Sequence, residues 1–219
     1  TMYLDGRAVE KDFSKAHELF KKASEQGEAI AKSNIGNLYH FGWGVDQNYN
    51  IAANWYRQAA EAGLAIAKNN LGVMYLDGLG VEQNYDEALK WIAEAAEEND
   101  AVAQNNMGKF YFRGEPVVQD YKQAAKWFGK AAAQGYVEAQ HNLGAMYSDG
   151  KGVSKKYHVA ENWFRKAAEK GYAESQYNLG QMFFDGQGVA QDYEEAFSWY
   201  KKAAQQGHSL AQINLGYLF

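Results

Sequence analysis

The chain has 219 residues, 47% of them hydrophobic and 22% charged, with a net charge of −5. That balance is globular and lacks the basic footprint of a nucleic-acid binder, and no run reaches the ~20 apolar residues that span a bilayer. The absence of Cys removes disulfides, thiolate metal sites and a Cys nucleophile, and it fixes no compartment.

Two counts are unusual: 22 Gly against one Pro, and 6 Trp, 16 Tyr and 11 Phe. Both resolve into a repeat, which must be sought first because missing it misassigns the whole fold. Displaced by 36 residues, the chain aligns with itself without insertion or deletion. With Ala65–Asp100 as positions 1–36, glycine takes position 8 (Gly36, Gly72, Gly108, Gly144, Gly180, Gly216) and position 14 (Gly6, Gly42, Gly78, Gly114, Gly150, Gly186). Positions 16 and 35 take the others except Gly129. Valine fills position 17 from Val9 to Val189. Trp55, Trp91, Trp127, Trp163 and Trp199 share position 27 and are expected in the core.

In chain order, Thr1 enters at position 9, so residues 1–28 form a partial copy. Complete copies follow at 29–64, 65–100, 101–136, 137–172 and 173–208, and 209–219 begins another. Within each copy the apolar spacing is helical twice. Ala67, Leu71, Met74 and Tyr75 mark a first helix, A; Tyr85, Ala88, Trp91, Ile92, Ala95 and Ala96 mark a second, B. Glycine at position 14 ends helix A by taking positive φ. Asp or Asn at position 20 caps helix B (Asp12, Asn48, Asn84, Asp120, Asp192), with Lys156 the exception. Glycine at position 8, in mid-helix, costs about 1 kcal/mol relative to Ala. Its recurrence predicts close approach of helix A to the small Ala at position 24. Each copy is an αα-hairpin that cannot stand alone, so stacked neighbours must complete its burial. Both ends of the sequence cut a helix A, leaving Ile213, Leu215, Leu218 and Phe219 partly exposed. The expectation is a piece of a longer array, or end-to-end self-association.

The pattern A-x-A-x-x-N-L-G-x-M-Y-x-x-G-x-G-V-x-x-[DN]-Y-x-x-A-x-x-W-x-x-x-A-A-x-x-G resembles the Sel-1-like repeat, a longer relative of the tetratricopeptide repeat. It reads here as Ala65-Ile-Ala67, Asn70-Leu71-Gly72, Met74-Tyr75, Gly78-Leu-Gly80-Val81, Asn84-Tyr85, Ala88, Trp91 and Ala95-Ala96, and it covers the whole chain. The resemblance implies an all-α fold: 36-residue antiparallel helix–turn–helix repeats stacked into a right-handed α-solenoid superhelix, a single domain over 1–219. It places the A helices on the concave side. It also implies a scaffold or adaptor for protein complexes, and it does not identify the partner.

No enzyme is expected. The histidines (His17, His40, His141, His158, His208) form no i, i+4 pair and are expected on the surface, not as metal ligands. Ser148-Asp-Gly-Lys151 matches S-x-x-K but spans the loop after helix A, and its partner motifs are missing. Gly78-Leu-Gly80 follows a helix, so it is no dinucleotide fingerprint. No metal, cofactor or catalytic residue is assigned.

The informative residues are those that the repeat does not require. On a helical wheel, positions 2, 5, 9, 12 and 13 face away from the core stripe. Position 12 reads Leu4, His40, Leu76, Phe112, Ser148, Phe184; position 2 reads Ile30, Ile66, Val102, Glu138, Glu174, Leu210. Such apolar content on a solvent face marks an interaction surface. Position 6 is Asn in every copy, including Asn70, Asn106 and Asn142, either a ladder for an extended peptide backbone or bonds to the adjacent repeat. Trp43, beside Phe41, is the one Trp outside position 27 and suits an interface anchor. Lys109 and Arg113 stand four apart on one helix face. With Asn70, Val73 and Leu76 before them and Asn142 after, they form an expected site for a carboxylate, on an acidic side chain or a peptide C-terminus; the alternative is that Arg113 pairs with Asp77 or Asp149 across repeats as a surface ion pair. Phe112 supplies its apolar ledge, and Tyr177, Gln181 and Phe184 are the next place to look. The expected function is therefore binding of a protein or extended peptide in the concave groove. The alternative is an architectural spacer that makes contacts through its ends or the B helices.

Overall fold

Each first helix stops where a glycine adopts the left-handed backbone: Gly42, Gly78, Gly150 and Gly186 have φ of 71°, 68°, 75° and 69°. Each second helix starts where Asp12, Asn48, Asn84, Asp120 or Asp192 accepts a hydrogen bond from a backbone N–H of its first turn. Lys156 takes the same extended conformation (φ −148°, ψ 95°) without a side-chain bond, as its residue type requires. The computed structural model describes residues 12–217; Leu4, Leu218 and Phe219 lie outside them.

Among the described residues there are twelve helices and no strand. These are α1 (Phe13–Glu25), α2 (Ala29–Phe41), α3 (Tyr49–Glu61), α4 (Ala65–Asp77), α5 (Tyr85–Glu97) and α6 (Ala101–Arg113). There follow α7 (Tyr121–Ala133), α8 (Val137–Asp149), α9 (Tyr157–Glu169), α10 (Ala173–Asp185), α11 (Tyr193–Gln205) and α12 (Ser209–Tyr217). Even-numbered helices are the A helices and odd-numbered ones the B helices, so the protein has an all-α repeat fold. The contacts divide it into two units, Thr1–Ala103 and Gln104–Phe219. In the first, α1 to α4 pack each on the next, and α4 on α5; in the second, α7 to α12 do the same.

Both units bury the same set. Position 28 supplies Tyr56, Ile92, Phe128, Phe164 and Tyr200, closed over by Leu, Ile or Met at position 7 and by alanines of the B helices. This corrects two expectations. Position 28, not the Trp at position 27, holds the large core side chain: Trp55, Trp91, Trp127 and Trp163 are only half-buried, and Trp199 alone is buried. The Trp faces are covered instead by lysines one turn on, with Lys130, Lys166 and Lys202 ammonium groups 4.1, 4.2 and 3.8 Å from the Trp127, Trp163 and Trp199 rings. The close approach at position 8 is likewise to position 28 before Ala at position 24. A Cβ on Gly72 would lie 2.6 Å from Ile92 and one on Gly144 2.8 Å from Phe164, with the Ala88 carbonyl second at 3.0 Å from Gly72.

Candidate functional site

In the first unit the A-helix face is apolar and open. Ile30 and Ile66, at the starts of α2 and α4, and Val102, at the start of α6, are 62%, 56% and 39% exposed. At the far end of α2, Trp43 stacks on Phe41 (4.6 Å between centroids) and on Phe13 (5.9 Å), so the anchor expected from sequence is part of a preformed three-ring cluster. Between α2 and α4 lies a cleft of about 160 Å³ lined by Asn37, His40, Phe41, Tyr56, Asn70 and Val73. The Tyr56 hydroxyl donates to Asn37 Oδ1 at 2.7 Å. His40 Nδ1 is buried without a partner, and burial holds the His40 pKa below its ordinary value. Asn70 makes no side-chain hydrogen bond among the described residues. Leu76 is half-buried, and its carbonyl accepts from Gln83 Nε2 at 2.8 Å.

In the second unit the same positions are occupied by internal bonds. Lys109 Nζ pairs with Glu138 Oε1 at 2.5 Å, so it is not a free cation. Asn142 Nδ2 donates to Asn105 Oδ1 (3.2 Å), and Asn105 Nδ2 donates to Glu138 Oε2 (3.3 Å). Asn106 is engaged as well. Of the two cations expected to hold a carboxylate, Arg113 is the exposed one and forms no ion pair among the described residues. Phe112 packs edge-on against Tyr121 at 5.3 Å and carries Lys151 over its ring at 5.5 Å. Further on, Tyr177 stacks on His208 at 4.6 Å, His208 Nε2 lies 3.0 Å from Glu174 Oε2, and Phe184 packs on Tyr193 at 5.4 Å. Position 5 is not an exposed position as the wheel suggests: Ser33, Asn69 and Asn105 are buried.

His40, His141 and His208 also depart from the surface expectation; the His208 side chain is only 9% exposed. His141 sits between Phe164 and Tyr172, with Nδ1 2.9 Å from Ser175 Oγ. Burial lowers its pKa, against the opposing fields of Glu174 and Glu138. The Ser–His contact is not a nucleophile, since Ser175 is fully buried within α10. His40, Asn37 and Tyr56 were not singled out by sequence reasoning. The available signal was His40 itself, a ring nitrogen where the other described copies have Leu, Phe or Ser. Among the described residues no group of His, Asp and Glu is arranged to hold a metal ion, and no helix is long and apolar enough to cross a membrane.

The Sel1 repeat pattern matches six successive segments, 1–28, 29–64, 65–100, 101–136, 137–172 and 173–208. The chain belongs to the Sel1 repeat family. As a Sel1 repeat protein it is similar to c5321, a protective antigen present in uropathogenic Escherichia coli strains, with 41% identity and a TM-score of 0.88. That match covers 99% of this chain and 46% of c5321, so the chain spans about half the length of that relative. A Sel1 repeat protein from Oxalobacter formigenes is 35% identical with a TM-score of 0.81, over 92% of this chain and 85% of the other. The immunity protein Pa5087 from Pseudomonas aeruginosa, 22% identical over 93% of this chain and 80% of its own, shares the fold at a TM-score of 0.63. A search of curated proteins finds no match.

Proposed function

We propose that this Sel1 repeat protein is a non-catalytic interaction scaffold that binds a protein or extended peptide on its A-helix face. Sel1 repeat proteins generally mediate protein–protein interaction, and the immunity proteins that share the fold have names that accord with such a role. The observation that carries the reading is the exposed row Ile30, Ile66 and Val102 beside the open cleft at Asn70 and Val73. Isolated exposed apolar residues are ordinary, but one at the same position of three successive A helices is a surface with a partner. The A-helix face of the second unit, with Asn106, Lys109, Phe112, Arg113, Asn142, Tyr177 and Phe184, is polar and aromatic, and we assign it contacts of its own with the partner. There the exposed Arg113 is the group left for an acidic side chain or a C-terminal carboxylate.

The test is comparative capture from an extract of a cell that makes the protein, read by quantitative mass spectrometry. Ile30→Asp with Ile66→Asp should lose the captured partner at least tenfold, while Trp163→Ala on the B-helix side should keep it. Loss with Trp163→Ala and retention with the Ile pair would instead support the architectural reading, in which the B helices make the contacts.

A further inference from the structure

The cleft between α2 and α4 is small, and its lining is mixed in a particular way. Phe41 and Val73 line it beside the Tyr56 ring, and its polar groups are Asn37, Asn70 and His40. No Lys or Arg lines it, which disfavours a carboxylate occupant. Its volume of about 160 Å³ is close to that of an engineered core cavity that takes benzene, ~150 Å³. That volume suits one six-membered ring.

The His40 nitrogen decides what the ring must carry. The imidazole is wedged edge-on against Phe41 at 4.6 Å and Tyr49 at 5.3 Å, and its Nδ1 has neither a protein partner nor contact with solvent. A buried polar atom without a bond costs free energy that a ligand group recovers. A hydroxyl both donates and accepts, so it satisfies either tautomer of a neutral imidazole. Phe41, which packs on His40 at 4.6 Å and is itself exposed, is the lining side chain that would move for such a group to reach Nδ1. The Tyr56 hydroxyl is already committed to Asn37 Oδ1, which leaves the Asn37 and Asn70 amide groups to meet the same hydroxyl or the adjoining backbone.

We infer that this cleft is a receptor for one tyrosine side chain of a bound peptide, its phenol hydroxyl bonded to His40. The inference rests on the proposed A-face binding and names the partner's anchor residue. The other described copies hold Leu76, Phe112, Ser148 and Phe184 at the His40 position, so the receptor occurs once.

The experiment titrates the full chain with p-cresol, the tyrosine side-chain analogue, and with toluene, following the Asn37, Asn70 and His40 side-chain signals by NMR. Saturable shifts at these groups are expected, with p-cresol at least tenfold tighter than toluene. His40→Phe should abolish that preference, and it should fold because Phe stands at the same position in two other copies. Val73→Trp, which fills the cleft, should abolish binding of both. Equal affinity for the two probes, or no saturable shift at the three groups, overturns the tyrosine receptor. The capture experiment with the Ile30 and Ile66 variants does not depend on that result, so failure of the receptor and failure of A-face binding are told apart.

Discussion

The A-helix faces of the two units are built from the same repeat positions and use them in opposite ways. In the first unit, position 2 is Ile30, Ile66 and Val102, exposed, and the Asn70 side chain, which lines the cleft, makes no hydrogen bond among the described residues. In the second, position 2 becomes Glu138 and Glu174, which pair with Lys109 and His208, before an exposed Leu210, while Asn142 bonds to Asn105. Identical scaffolding thus separates stability from recognition. Where the variable positions satisfy one another, the face is closed chemically; where they do not, it is available. The contrast also follows charge: residues 1–103 carry 9 Lys+Arg and 16 Asp+Glu, net −7, and residues 104–219 carry 13 and 11, net +2. The unit with the apolar row is also the acidic one, and contacts to it should draw on its apolar side chains more than on charge attraction.

The largest expected effect tests the half of the comparison that says the cores are equivalent. Tyr56→Ala in the first unit and Phe164→Ala in the second should each cost about 3–5 kcal/mol, as for other buried aromatic truncations. The half-buried neighbours Trp55→Ala and Trp163→Ala should cost less than half as much. Chemical denaturation measures all four. Trp losses equal to the position 28 losses would return the core to position 27.

A smaller effect concerns two half-buried histidines. His40 and His141 both have pKa values lowered by burial, so each is neutral in the folded chain at pH 7. As pH falls through the ordinary histidine value of 6.5, the unfolded chain takes up the proton first. Stability is therefore fully present above that value and is lost below it, with a slope of at most about 1.4 kcal/mol per pH unit for each group. His141→Gln, which can keep a bond to Ser175, should flatten the decline of melting temperature between pH 7 and 5. A decline unchanged in that variant would show that His141 does not titrate as its burial requires.

How much of this was legible in the sequence follows from what the repeat constrains. Position 14 glycine and position 20 Asp or Asn fix the helix ends through local backbone chemistry, so Gly78 and Asn84 could be read without a structure. Position 27 misled because Trp is conspicuous. Its ring covers the surface under a lysine stem, while Tyr56, Ile92, Phe128, Phe164 and Tyr200, which vary in type, fill the core. Lys109 and Arg113 were legible as a pair on one helix face, but the partner that engages Lys109, Glu138, stands 29 residues later at the start of another helix. The cleft at His40 was not legible, because it depends on side chains from α2, α3 and α4 meeting with one nitrogen left over.

The open and closed faces are compared most directly by photocrosslinking. A benzophenone side chain placed at Ile66 or, in a second protein, at Glu174 samples the same repeat position in the two units. With both proteins exposed to the same extract, the account predicts a partner adduct from position 66 at several times the yield from position 174. Equal yields, or a stronger adduct from position 174, would contradict it.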